Sequence, residues 1–130
     1  NIKTTIMGGR QGIMAAWGEI LGKDGVQEVA SYVLSLSGRK VDLVEAKKGE
    51  ARFAICAACH GADAKGGIAV GAPDLTNNTW LYGGSREVVV QTITHGRHGV
   101  MPAWKDILGE DKVHLLASYV YSLSHQQSAK

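Results

Sequence analysis

The residues best placed to do chemistry stand together in Cys56-Ala57-Ala58-Cys59-His60. The pattern C-x-x-C-H is the attachment signal for a c-type haem. Two thiols three positions apart, on one side of a helical turn, can each form a thioether to one vinyl group of the same porphyrin. His60, the next residue, then lies beneath the ring, where its imidazole can bind iron. A zinc site of four cysteines is excluded, because Cys56 and Cys59 are the only cysteines. A redox dithiol would want its C-x-x-C at the start of a helix, after a strand, in a βαβ setting. The segment before Cys56 reads as helix instead. The expected cofactor is therefore one haem c, attached through Cys56 and Cys59, with His60 on the iron.

His60 alone would leave the iron five-coordinate and open to ligands or peroxide. Met101, 41 residues downstream of His60, supplies a second ligand from a Gly99-Val100-Met101-Pro102 turn between two helices. A core methionine normally sits on the apolar stripe of a helix as an adaptable filler; this one precedes a proline in a turn. Its soft thioether favours ferrous iron, so a His60/Met101 pair raises the reduction potential.

Composition agrees with a haem host. The 130 residues suffice for one domain of ordinary size, with 45% hydrophobic but only 6% aromatic content, a single Phe and 17 Gly. A large flat cofactor would supply the missing apolar mass. The net charge of +2 would be roughly cancelled by two propionates, and Lys47-Lys48 is a basic run of only two residues, so neither nucleic acid nor a membrane surface is indicated. No stretch approaches the ~18 apolar residues of a spanning helix. Asn1-Ile2-Lys3 opens into a mixed segment without a secretion signal. Since haem ligation in bacteria takes place outside the inner membrane, the chain is expected in the periplasm, its signal or anchor removed or left upstream.

The elements that must position these residues are repeated. Residues 8–37 align without gaps to 95–124, with 18 identities in 30 positions. Met14 matches Met101, Trp17 matches Trp104 and Tyr32 matches Tyr119. The first copy has no C-x-x-C-H. Residues 1–38 thus read as the back half of a truncated first domain, 41–126 as a complete haem domain, and 127–130 as a tail. His95 and His98 lie near Met101, but the first copy has Gly8 and Gln11 there while keeping Met14, so both read as ordinary histidines. His114 and His125 read as solvated, and Met7, opposite Thr94, as packing. Gly38 suits a helix end. A helix is expected from about Leu43 to Cys56, with Gly49 marking close backbone approach along the face of Phe53. Glycines from Gly61 to Gly84 mark loops. Ser85 caps a short helix that Gly96 ends. A last helix starts near Glu110-Asp111 and runs to about Ser124, with Val113, Leu116, Ala117, Val120 and Leu123 on one face. Val26, Val29, Ala30, Val33 and Leu36 mirror it. No strand pattern competes, so the class is all-α.

Residues 41–126 resemble a class I cytochrome c domain. The matching elements are Gly49 and Phe53, C-x-x-C-H at 56–60, Gly71-Ala72-Pro73-Asp74-Leu75, Met101, and Leu116 with Tyr119. The resemblance implies a fold wrapped around one covalent haem, with the first and last helices crossing at Gly49. It also implies that the Pro73 carbonyl accepts a hydrogen bond from the second nitrogen of His60, and that Arg97 and Trp104 lie near the haem edge or propionates. The tandem arrangement, Gly-x-Met-Pro-Ala-Trp and the shared Ala-Ser-Tyr-Val-x-Ser-Leu-Ser are similar to the dihaem subunit of cbb3-type cytochrome c oxidases. Ala15 stands where the second copy has Pro102, and the family's anchor and first haem-attachment half are missing, which implies a piece of a longer chain. That family implies one-electron transfer from upstream carriers toward the oxidase's other subunits, with no bond chemistry in this domain and a membrane-anchored parent. The alternatives are a free cytochrome c or a dehydrogenase-associated subunit, a gas sensor or peroxidase if the sixth ligand is labile, and a haem-free dithiol protein. For residues 1–38 two readings stand. One is segment exchange in a homodimer, with Met14 replacing Met101 on a partner's haem. The plainer one, preferred here, is a loosely attached appendage.

Overall fold

A computed structural model describes residues 2–125. The expected tail, 127–130, lies outside the described residues. In chain order the elements are α1 (Ile2–Gly8), β1 (Arg10–Met14), α2 (Gly18–Leu36), α3 (Leu43–Arg52), α4 (Ala54–His60), a 3₁₀ turn at Ile68–Val70, α5 (Arg86–His95), β2 (Arg97–Met101) and α6 (Lys105–His125). The protein is mostly helical, as expected, but β1 and β2 form a two-stranded sheet. Met101 therefore ends a strand rather than sitting in a turn. Five residues such as Arg-His-Gly-Val-Met carry too little alternation to reveal a strand whose partner is the matching stretch far away in the chain.

The described chain divides into two compact units. One draws on Asn1–Gln11 and Gly99–Lys130, the other is Gly12–His98. Two segments of nearly the same sequence can complete the same packing, and in the structure the first does so.

In the unit Gly12–His98, α3 starts at Asp42, whose carboxylate accepts hydrogen bonds from the Val44 and Glu45 amides at 2.9 and 3.0 Å. The chain passes through Phe53 in right-handed helical geometry (φ −65°, ψ −16°) into α4. The helix expected to end near Cys56 thus has two segments and reaches His60. Ser85 accepts from the Val88 amide at 3.3 Å and caps α5. The helix covering α3 is α2, which breaks at Gly22 and then presents Val26, Val29, Ala30, Val33 and Leu34 at helical spacing. These join Phe53 and Cys56 and, from α5, Val89 and Ile93 in one core cluster. The crossing is close because position 49 is glycine. A Cβ there would overlap the Glu28 carbonyl and stand 2.9 Å from the Tyr32 Cβ. The Tyr32 ring meets Phe53 edge-on, centroids 5.2 Å apart at 65°.

A polar clamp ties three helices of this unit. The Arg86 guanidinium on α5 donates to the Gln27 Oε1 at 2.9 Å and the Ser31 Oγ at 2.8 Å, both on α2, and to the Glu45 carboxylate on α3 at 2.9 Å. Ser31, fully buried, also donates to Glu45. Such charge-assisted bonds satisfy polar groups that burial would otherwise penalise.

In the other unit α1 packs on α6. The Trp104 amide donates to the Ile6 carbonyl at 3.0 Å, and Lys3 pairs with Glu110 at 3.2 Å. The first of these has its match in the larger unit, where the Trp17 amide donates to the Ile93 carbonyl at 2.9 Å. Like α2, α6 breaks at its glycine, Gly109. Beyond the buried Val113, however, its apolar stripe is open: Leu116, Val120 and Leu123 are exposed, and Tyr119 is 60% exposed.

Candidate haem-attachment site

Helix α4 carries all three residues of the C-x-x-C-H pattern. Cys56 is buried, Cys59 is exposed, and both thiols are free. Burial, with a smaller contribution from Cys59, pushes the Cys56 thiol above its ordinary pKa. A redox dithiol requires the opposite shift, because the thiolate is the reactive form.

His60 is only 7% exposed. Its Nδ1 lies 3.0 Å from the Pro73 carbonyl oxygen. A carbonyl can only accept, so Nδ1 carries the proton and the lone pair is on Nε2, the nitrogen suited to a metal. Partners of this kind fix the tautomer and ring orientation of a metal-binding histidine. The loop is folded to bring that carbonyl back. The Gly66 amide donates to the His60 carbonyl at 2.7 Å, and Gly67 and Ala72 exchange two bonds of 3.0 Å. The Leu75 amide then returns to the Ala64 carbonyl at 2.8 Å. Gly66 has φ +84°, and a Cβ there would stand 2.7 Å from the Pro73 carbonyl carbon. Only glycine permits this turn to close over His60.

Trp80, which sequence reasoning missed, is the second informative side chain. Its Nε1 is buried without a hydrogen-bond partner. An orphaned buried donor costs roughly 1–3 kcal/mol unless an acceptor meets it. Beside it, the Arg39 guanidinium stands 5.8 Å from the ring centroid. The signal for Trp80 was present as a lone tryptophan among the glycines and asparagines of a loop. A haem propionate is an acceptor of the kind this donor lacks. With two free thiols, a buried histidine of assigned tautomer and an unmet donor, the residues fit a haem.

The expected site residues do not all fall in one unit. Cys56, Cys59, His60, Pro73 and Arg97 belong to Gly12–His98, whereas Met101 and Trp104 belong to the other unit. Their counterparts Met14 and Trp17 lie with His60's unit and pack against its core cluster. Arg97 donates to the Thr92 hydroxyl at 2.9 Å and stacks its guanidinium 4.2 Å over Tyr82. Among the described residues, no group of three or more His, Cys, Asp or Glu side chains is arranged to hold a metal ion. No helix among them is long and apolar enough to cross a membrane.

The profile of the family described as cytochrome c oxidase, cbb3-type, subunit III matches residues 44–120. The chain belongs to this family. Among curated proteins it is 48% identical over 121 residues to the cbb3-type cytochrome c oxidase subunit FixP of Azorhizobium caulinodans, covering 92% of this chain and 41% of that protein. It is 46% identical over 124 residues to the subunit CcoP of Rubrivivax gelatinosus, covering 95% and 41%. With the CcoP of Azospirillum brasilense the identity is 47% over 117 residues, covering 85% and 40%. The chain therefore spans about two fifths of the length of these relatives. Membership of the cbb3-type subunit III family bears out the resemblance drawn from C-x-x-C-H and the Met-x-Ala-Trp turns.

Proposed function

We propose that this chain transfers single electrons within a cbb3-type oxidase, through one haem c held by Cys56, Cys59 and His60. The observation that carries this reading is the buried His60. Its Nδ1–H is committed to the Pro73 carbonyl, and it follows two free thiols on one helix. Each cysteine Sγ would hold one vinyl carbon, its proton going to the neighbouring carbon, an addition that needs no oxidant. His60 Nε2 would bind the iron. A methionine thioether, expected from Met101, would supply the second ligand. The iron of such a haem supplies a one-electron Fe(III)/Fe(II) couple at a raised potential. With both ligands in place the polypeptide would let little reorganise on electron transfer. Trp80 Nε1 could donate to a propionate, and Arg97 and Trp104 are the residues expected near the haem edge.

The domain performs no bond chemistry of its own. It receives electrons from upstream carriers and passes them to the other oxidase subunits, in the periplasm, in a parent protein anchored to the inner membrane. Residues 1–38 derive from duplication of the haem domain. The test is maturation of the chain with a bacterial haem-ligation system, followed by mass measurement and a haem count under denaturing conditions. One haem per chain is expected, falling to none when Cys56 and Cys59 are both replaced by Ala. A matured chain without bound haem would overturn the proposal.

A further inference from the structure

We infer that Tyr82 is a positioning residue for electron transfer: its ring face holds the Arg97 guanidinium and so fixes the root of the strand that carries Met101. The inference rests on the His60/Met101 reading above and names what keeps that methionine in place. Tyr82 is 45% exposed and stands outside the core cluster. Core packing therefore does not account for an aromatic residue at this position. The turn that presents it is closed by the Gly83 amide, which donates to the Trp80 carbonyl at 3.2 Å, and Trp80 packs against the core. Over the Tyr82 ring lies the Arg97 guanidinium, 4.2 Å from the centroid, inside the ~6 Å reach of a cation–π contact. The Arg97 Nε also donates to the Thr92 hydroxyl at 2.9 Å. A planar guanidinium held at one edge and across one face keeps little freedom to turn.

Arg97 opens β2 and Met101 ends it, with three residues between them. Just before, the chain leaves α5 through Gly96, at φ +73°, whose amide donates to the Thr92 carbonyl at 2.8 Å. Thr92 thus receives both the backbone and the side chain of the segment that leads to Met101. The same device recurs 87 positions earlier. There the Gly9 amide donates to the Thr5 carbonyl at 2.9 Å, and the Arg10 Nε to the Thr5 hydroxyl at 2.9 Å, ahead of Met14. A pair of bonds built twice, each time at the head of a methionine-bearing strand, is an anchor for that strand. The Thr92 bond alone competes with water and contributes little net. Tyr82 covers one face of the guanidinium and strengthens the hold. A tethered thioether outcompetes free ligands through its local concentration at the iron, and the anchor of its strand sets that concentration.

The test is a titration of the matured ferric chain with imidazole, which displaces a methionine sulfur and abolishes its weak far-red absorption band. Loss of a cation–π contact at a half-exposed site changes an equilibrium by about two- to fivefold. Tyr82→Leu should therefore raise the apparent imidazole affinity by about that factor. Tyr82→Phe keeps the ring face and should match the parent. On an Arg97→Gln background Tyr82→Leu should add nothing, because Tyr82 acts through the guanidinium. A general loss of stability would lower the melting temperature without obeying either rule. Parent affinity in Tyr82→Leu, an equal rise in Tyr82→Phe, or an undiminished rise on the Arg97→Gln background overturns this inference and leaves the proposed function standing. A parent whose ferric form lacks the far-red band overturns the inference and the His60/Met101 reading together.

Discussion

Replacing Tyr32 and Tyr119 by alanine, one at a time, separates the two helices by energy. Tyr32 on α2 is half-buried and meets Phe53 edge-on at 5.2 Å. Aromatic pairs of this kind contribute about 0.5–1.5 kcal/mol beyond burial. Full burial of a large apolar side chain contributes roughly 1.5–3 kcal/mol, and a half-buried ring about half of that. Tyr32→Ala should therefore cost about 1–3 kcal/mol. For a unit of ~60–100 residues, each kcal/mol shifts the melting temperature by roughly 4–8 °C, so a fall of about 5–20 °C is expected. Tyr119, at 60% exposure, has no ring partner among the described residues. Tyr119→Ala should stay within about 0.5 kcal/mol, the usual range for surface changes. Urea and thermal melts followed by helix circular dichroism, on the haem-loaded chain, measure both. Equal losses, or a larger loss for Tyr119→Ala, would refute the placement of α2 on α3.

Three further outcomes are expected. Gly66→Ala should push the Pro73 carbonyl away from His60; the His60 Nδ1–H proton, followed by NMR, should lose its hydrogen-bonded shift, and an unchanged shift would show that the turn tolerates a Cβ. The Thr76 hydroxyl and amide both bond Asp74 and hold its carboxyl below the usual carboxylate range. This stabilisation is present above the unfolded pKa of about 4 and is lost as pH falls through the lower folded value; Thr76→Ala should flatten the acid limb of the stability curve, and an identical limb would contradict the assignment. In the haem-free chain, a thiol reagent at about pH 8 should modify exposed Cys59 well before buried Cys56, whose thiol is pushed up by burial; mass mapping that finds Cys56 modified first would contradict the burial.

The chemistry of the site was legible because it is local. Cys56, Cys59 and His60 stand within five residues, and Ser85 and Gly49 announce a cap and a close crossing within a few residues. What joins Gly49 was not legible. Tyr32 and Tyr119, Val33 and Val120, and Ala30 and Ala117 answer the same description, and a hydrophobic stripe does not state its partner. The deciding contacts run from Arg52 to Glu28 and from Arg86 to Gln27, 24 and 59 positions apart in sequence, and only the folded chain brings them together. Trp80 was missed for a similar reason, since an unmet Nε1 donor appears only once burial is known. The strands β1 and β2 were missed because each is short and pairs at long range.

The most direct test of the electron-transfer account is a spectroscopic redox titration of the matured chain at neutral pH. The account predicts one reversible one-electron step, low-spin spectra in both oxidation states, and no carbon monoxide binding by the reduced protein. A high-spin ferrous form that binds carbon monoxide readily would contradict it, and would make the site one for ligands rather than for electrons.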